Sequence, residues 1–198
     1  MGQNPNYDSL AQVFDYFRAG DLRRWGPLQT RHFSQMQGRV LHVGIGTGME
    51  IGQFPAGKNI TAIDLSPKML ERARHRASNY EGKINLCLMN TERLGFPDCC
   101  FDTISAVCVF CSVENPVAGL KELHRVLKPG GKLLLFEHVL SKNPLYGLSL
   151  RFMSLFTSRL EGTHLDRNTV ENTRKAGFAI ESETNIYLDI VKAVVATR

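Results

Sequence analysis

Apolar residues along this chain fall into short continuous runs separated by stretches in which they recur every third or fourth position. The runs predict strands at 39–44, 60–64, 84–89, 102–109 and 132–139, and the longer-period stretches predict helices at 48–54, 67–78 and 116–127. Ser66-Pro67 supplies a cap followed by a proline at the first helical position, after which Met69, Leu70, Ala73 and Ala77 form one inward stripe. A further helix starts near Asp166 or Asn168 and stops at Ala176-Gly177-Phe178. Residues 179–183 and 188–196 then read as two strands around a turn at Thr184-Asn185. Strands alternating with helices point to an α/β domain built on a mainly parallel sheet.

Two regions stand outside this alternation. In Tyr7 to Phe33, Leu10, Val13, Phe14 and Phe17 recur at helical spacing ahead of Arg23, Arg24 and Trp25; Ser141 to His164 crowds Leu145, Tyr146, Leu148, Leu150, Phe152, Met153, Leu155 and Phe156 into one segment with Lys142, Arg151 and Arg159 as its positive charges. Core packing, a dimer face and a cover over a ligand all suit such residues. Repeats and low-complexity tracts are absent. At 198 residues the chain fits a single domain able to bury roughly 70% of its unfolded surface.

Five cysteines, an odd number with no secretory leader ahead of them, fit a reducing cytoplasm better than a disulfide framework. No apolar run reaches the roughly 18 residues that a spanning helix needs. Cys108-Val109-Phe110-Cys111 has the spacing of half a metal site, but no second Cys or His pair accompanies it, so the expectation is small buried hydrophobes and no metal. Cys111 stands out because it falls just past a strand end, where open α/β sheets present ligands.

The most informative segment is Val40-Leu41-His42-Val43-Gly44-Ile45-Gly46-Thr47-Gly48, a buried strand running into a glycine turn, followed by Ile60-Thr61-Ala62-Ile63-Asp64, a strand that closes on a carboxylate. Glycines there allow a tight turn and close approach of backbone to ligand, and Asp64 suits two ribose hydroxyls. Gly46 and Gly48 are separated by one residue where the dinucleotide fingerprint has two, and Asp64 lies 16 residues beyond Gly48, both against a dinucleotide. The segment resembles the signature of class I S-adenosylmethionine-dependent methyltransferases. The resemblance continues through Asn90-Thr91-Glu92-Arg93-Leu94-Gly95-Phe96-Pro97-Asp98, Cys100-Phe101-Asp102-Thr103-Ile104-Ser105 and Leu123-His124-Arg125-Val126-Leu127-Lys128-Pro129-Gly130-Gly131-Lys132, so it is firm over residues 38–140.

That resemblance implies a Rossmann-like fold: a mainly parallel seven-stranded sheet with an antiparallel C-terminal strand and helices on both faces. It divides the single domain into an N-terminal helical lid (1–37), a cofactor core (38–140), an acceptor lid (141–165) and a C-terminal helix with a strand hairpin (166–198). It implies S-adenosylmethionine as cofactor, S-adenosylhomocysteine as product, and a donor site at His42, Gly44, Gly46, Thr47, Gly48, Asp64, Leu65, Met69, Asn90, Thr91, Glu92 and Val107. Two positions depart from the family pattern. His42 stands where most relatives carry an acidic residue, and Asn90 replaces the common aspartate near the adenine; each keeps an acceptor, Asn90 through its carbonyl oxygen.

Methyl transfer from a sulfonium is a direct displacement, so alignment and exclusion of water supply most of the acceleration, and a neutral acceptor also needs a base. Candidates are His138 and Glu137 at the end of the fifth strand, then His164 beside Arg167, with His138 ranked first for its strand-end position. The pattern resembles two neighbouring branches, the small-thiol methyltransferases and the phospholipid and quinone methyltransferases, which implies a small apolar or lipid-like acceptor. A net charge of +5 and the pair Arg23-Arg24 suit peripheral contact with an anionic membrane, or equally a solvated basic face. Nucleic acid is not expected, because no dense basic stripe with interleaved aromatics is present. The competing class is a donor-binding homologue without catalysis, acting as a scaffold and motivated by His42 and Asn90.

Overall fold

The structure is a computed structural model that describes Ala11, residues 14–160 and residues 162–198, apart from the side chains of residues 17, 159 and 160. The expected helical positions Leu10 and Val13 lie outside the described residues. The elements in chain order are α1 (Phe14–Phe33), β1 (Arg39–Val43), a 3-10 helix (Met49–Gln53), β2 (Asn59–Asp64), α2 (Pro67–Ser78), β3 (Lys83–Leu88) and β4 (Phe101–Val107). There follow α3 (Pro116–Val126), β5 (Leu127–His138), α4 (Pro144–Leu160), α5 (Thr169–Lys175), β6 (Ala179–Tyr187) and β7 (Val191–Thr197).

One seven-stranded sheet runs in the order β3-β2-β1-β4-β5-β7-β6. Pairings from β3 through to β5 are parallel, whereas β7 is antiparallel to both β5 and β6. This is the expected α/β architecture with its antiparallel C-terminal strand. Strand β1 sits in the middle, and Val40 through Val43 are buried without a polar side, as a strand covered on both faces requires. Phe33 of α1, Ile51 of the 3-10 helix, and Leu70 and Ala73 of α2 pack on one face. Leu120, Leu123 and Val126 of α3 and Val170 of α5 pack on the other.

Local chemistry sets the helix starts. Ser66 Oγ accepts from the Met69 amide at 3.1 Å, with Pro67 at the first helical position, and Asn115 Oδ1 accepts from the Ala118 amide at 3.1 Å ahead of Pro116. Asn168 caps α5 through Glu171 in the same way.

Several boundaries differ from the expected ones for physical reasons. Residues 49–53 form a 3-10 helix rather than an α-helix over 48–54, because Gly48 enters left-handed and Gly52 and Pro55 weaken continuation. Strand β4 ends at Val107, two residues early, since Cys108 turns to φ 52°. Strand β5 starts at Leu127, which pairs with Phe101 before a register shift carries the chain past the Gly130-Gly131 irregularity. The hairpin turn falls at Leu188-Asp189, both at positive φ, rather than at Thr184-Asn185. Asn185 Oδ1 accepts from the Asp189 amide at 3.0 Å and Lys192 Nζ binds Glu183 and Asp189 at 2.6 and 2.7 Å, which fixes the longer ladder. Residues 144–160, read from sequence only as an apolar stretch, are helical throughout.

Candidate active site

Strand order reverses between β1 and β4, and a cavity of about 760 Å³ opens there, at the carboxyl ends of the central strands. Its floor is the glycine turn. The Gly44 and Ile45 amides both donate to the Ile63 carbonyl, at 2.8 and 3.1 Å, folding the turn back over the end of β2. Gly44 has φ +68°, and a Cβ there would lie 2.4 Å from Val109 Cγ2. Gly46 has φ +55°, yet a Cβ on it would meet nothing nearer than Phe14 Cε1 at 3.8 Å, so it faces open space. Asp64 is aimed by two backbone amides, Gly46 on Oδ2 at 2.8 Å and Ser66 on Oδ1 at 2.9 Å. A carboxylate offers about four acceptor sites.

Of the sequence-expected residues, Gly44, Gly46, Asp64, Leu65 and Met69 line this cavity, as do Asn90, Thr91, Glu92 and Val107 across from them, and His138 and His164 at the far end. Four do not. His42 is fully buried on the opposite side of β1, its ring 4.9 Å from that of Phe54 and 6.0 Å from that of Phe33, with Nδ1 2.8 Å from Ser105 Oγ. Burial pushes its pKa down to about 3, so it is a neutral core histidine. Thr47 Oγ1 donates to Asp15 Oδ1 at 2.5 Å. Gly48 is tight packing, since its Cβ would lie 2.9 Å from Ile51 Cδ1.

Glu137 is the fourth. Its Oε1 accepts from the Val109 amide at 2.9 Å and from Phe110 at 3.3 Å, so it braces the turn after β4 from beneath the cavity. Burial, against those two amides, pushes its pKa up to about 7. Asn90 lines the cavity, and its carbonyl oxygen accepts from the Glu92 amide at 2.8 Å, which leaves one acceptor lone pair and the amide NH₂ for a ligand.

Phe14, from the apolar region expected as a lid, also lines the cavity, as do Arg18 and Glu50, which no motif marked. Helix α1 brings the first two, and Asp15 holds that helix to the glycine turn through Thr47 and through Arg76 at 2.8 Å and Arg72 at 3.5 Å. Burial works to raise the Asp15 carboxyl, but the Thr47 hydroxyl and the two arginines hold it low. Burial opposes the charge of Arg18, yet Cys108, Glu50 and Asp21 outweigh it and raise its pKa. The Glu50 carboxyl is pushed up by burial and by Asp64 against the pull of Arg18 and Arg76. An apolar period carries no signal for charged residues such as Arg18, and Glu50 stands two residues after the glycine turn.

At the far end His138 keeps Nδ1 buried without a hydrogen-bond partner among the described residues. Burial and the charge of Arg18 lower its pKa, so it is neutral at pH 7. The His164 amide donates to the Cys111 carbonyl at 2.8 Å, tying the loop after α4 to the end of β4. Arg167 Nη1 donates to the carbonyls of Phe110, at 3.2 Å, and of Val113. Cys108 and Cys111 are free thiols in the lining, and burial pushes Cys108 up to about 11 and Cys111 well above its ordinary value, so both are protonated.

Comparison with known proteins bears on this geometry. A family model described as a methyltransferase domain matches residues 41–135. Phosphatidylethanolamine N-methyltransferase of Cereibacter sphaeroides is 33% identical over 138 residues, covering 68% of this chain and 67% of that protein. The chain belongs to the class I S-adenosylmethionine-dependent methyltransferases. The ubiquinone/menaquinone biosynthesis C-methyltransferase UbiE of Geotalea daltonii is 35% identical over 139 residues, covering 67% of this chain and 58% of that protein. Thiol S-methyltransferase TMT1B of Rattus norvegicus is 33% identical over 149 residues, covering 71% and 59%. The chain thus spans less than two thirds of the length of these last two relatives.

S-adenosylmethionine is the donor of this methyltransferase family, and the residues present fit it. Gly46 leaves open the space a side chain would fill, Asp64 is pre-aimed, and the buried Thr91 hydroxyl has no partner among the described residues. Among the described residues no helix is long and apolar enough to cross a membrane.

Proposed function

We propose that the chain transfers a methyl group to a small apolar or lipid-like acceptor that reacts as an anion, a quinol-type ring or a thiol in preference to a phospholipid amine. Bound in the cavity, S-adenosylmethionine supplies an electrophilic methyl on a sulfonium. Asp64 would hold the ribose hydroxyls, the Gly44 to Gly46 backbone would meet the donor's amino-acid end, and Leu65, Met69, Asn90, Thr91 and Val107 would enclose the base. Asn90 would meet the base with its amide NH₂ or with the free lone pair of its carbonyl oxygen. The acceptor occupies the end lined by Phe14, Cys111, His138 and His164.

The observation that carries this reading is the pairing of a neutral, half-buried His138, whose Nδ1 has no hydrogen-bond partner among the described residues, with the Arg18 cation in the same cavity. The imidazole removes the acceptor proton and the guanidinium stabilises the anion that remains, both within an enclosure that strengthens charge interactions. An amine reacts as a neutral nucleophile and gains nothing from that cation. Glu137, expected as a second base, acts here as a positioning residue for the Val109-Phe110 turn. One motive of the scaffold reading weakens, because His42 lies outside the cavity lining and packs in the core, whereas Asn90, the other, stays in the lining.

A panel of naphthoquinols, aromatic thiols and phosphatidylethanolamine, incubated with S-adenosylmethionine and read by mass spectrometry, tests it. Methylation of quinol or thiol is expected. Methylation of the amine alone overturns the preference, and donor binding with no product from any of them restores the scaffold reading.

A further inference from the structure

Helix α4 is amphipathic the wrong way round. Its inward stripe is Gly147, Leu150, Ser154 and Thr157, three of the four small or polar. Ser154 Oγ donates to Asp166 Oδ1 at 2.6 Å, and Thr157 Oγ1 to the Thr163 carbonyl at 2.7 Å. The opposite face carries Leu145, Leu148, Phe152, Leu155 and Phe156, which are 78%, 70%, 62%, 55% and 55% exposed. At 100° per residue these five fall on one stripe roughly 100° wide, the width that normally faces a core. Phe152 and Phe156 touch each other edge to face at 5.3 Å rather than packing inward. An outward stripe of this kind marks an interaction surface.

Charge selects the occupant. From Ser141 to Leu160 the sequence contains no Asp or Glu, and the exposed Lys142 and Arg151 flank the stripe. The whole chain carries a formal +5. Large aliphatic and aromatic side chains bordered by cations, in a segment whose own sequence holds no acid, are the composition of a helix that lies in the interface of an anionic bilayer; Asp189 accepts from the Lys142 amide at 2.6 Å and Lys142 also acts on Glu183, so Arg151 is the stronger of the two cations. The pair Arg23-Arg24 contributes less than its sequence suggests, because the Arg24 guanidinium lies over the rings of Trp25 and Tyr187 at 4.6 and 4.2 Å. At its C-terminal end α4 supplies Thr157 to the cavity lining, and the loop Gly162 to Leu165 completes that wall.

We infer that the outer face of α4 is a bilayer-docking surface, with Leu145, Leu148, Phe152 and Phe156 inserted among the acyl chains and Lys142 and Arg151 at the headgroups. Docked this way, the helix sets the acceptor end of the cavity next to the membrane, a route for lipid-like acceptors that rests on the methyl-transfer reading; the docking itself does not.

The test is co-sedimentation of the full chain with vesicles of phosphatidylcholine containing about 30 mol% phosphatidylglycerol, since such helices bind through buried apolar area plus attraction to anionic lipid, with pure phosphatidylcholine as comparison and no methyl donor present. The wild type is expected to bind the anionic vesicles and to weaken as salt is raised. Phe152→Asp/Phe156→Asp, which changes only exposed positions outside the cavity, is expected to bind at least about tenfold more weakly with an unchanged melting temperature. Arg151→Glu is expected to lose most of the difference between anionic and neutral vesicles. Equal binding by wild type and the double variant overturns the inference. So does a wild type that ignores vesicles but sediments as a dimer that the double variant abolishes, which assigns the face to a second copy. Failure of methyl transfer with vesicle binding intact would strike the functional reading alone.

Discussion

Replacing Glu137 by Gln separates the brace beneath the cavity from any role in proton transfer. Glutamine keeps the acceptor that Val109 and Phe110 need, and it puts a neutral amide where the buried Oε2, without a partner among the described residues, now sits. The native carboxyl is raised from 4.5 to about 7 by burial, so folding favours its protonated form. A raised carboxyl contributes stability that is complete below the unfolded value of 4.5 and lost as pH climbs through about 7. The difference amounts to roughly 3 kcal/mol. Relative to the wild type, the variant should therefore gain about that much between pH 4.5 and pH 8, or about 6–12 °C in melting temperature for a chain of this size. Thermal unfolding followed by circular dichroism at the two pH values measures it. A melting-temperature difference that stays the same at both would refute the burial argument, and loss of methyl transfer out of proportion to the change in folding would show that Glu137 touches the reacting groups.

The glycines of the turn should divide by mechanism. Gly44→Ala overlaps Val109 at positive φ and should destabilise by about 2–4 kcal/mol, whereas Gly46→Ala has room, should cost about 1 kcal/mol, and should weaken donor binding at least about tenfold. Denaturant melts paired with calorimetry distinguish them, and equal destabilisation by both would contradict the placement of Gly46 at the cavity. For His138→Gln, turnover should fall by about 10²- to 10⁴-fold with donor affinity unchanged. Because burial and Arg18 lower the imidazole, the acid limb of the wild-type kcat profile should fall below the usual 6.5 and vanish in the variant. An acid limb that survives the substitution removes His138 as the base.

Much of this architecture is legible in the sequence where local chemistry and burial agree. The run Val40 to Val43, the Ser66-Pro67 and Asn115-Pro116 starts, and Asp64 at the end of β2 each satisfy propensity, capping and core packing together. The misses share a different cause, contacts between residues distant in sequence. The position of the β6-β7 turn depends on Lys192 reaching Glu183 and Asp189, and the start of β5 on Leu127 meeting Phe101. Helix α4 was hidden because its apolar residues face outward, so the stretch looked like lid or core without showing which.

For the site, the sequence located the turn, the aspartate and the strand-end histidine, all of which line the cavity. It could not tell that His42, on the strand between two core residues, points at Phe54. Nor could it foresee that Thr47 is engaged by Asp15, or that Arg18 arrives from a helix 26 residues ahead of the turn's Gly44.

The measurement closest to the central claim is calorimetric titration of S-adenosylmethionine and S-adenosylhomocysteine into the wild type and into Asp64→Ala. Saturable binding of both ligands to the wild type is expected, at least about tenfold weaker in Asp64→Ala, a loss of about 1.4 kcal/mol or more, with the variant still cooperatively folded. Absence of binding to the wild type, or unchanged affinity in a folded Asp64→Ala, would contradict the assignment of this cavity to the methyl donor.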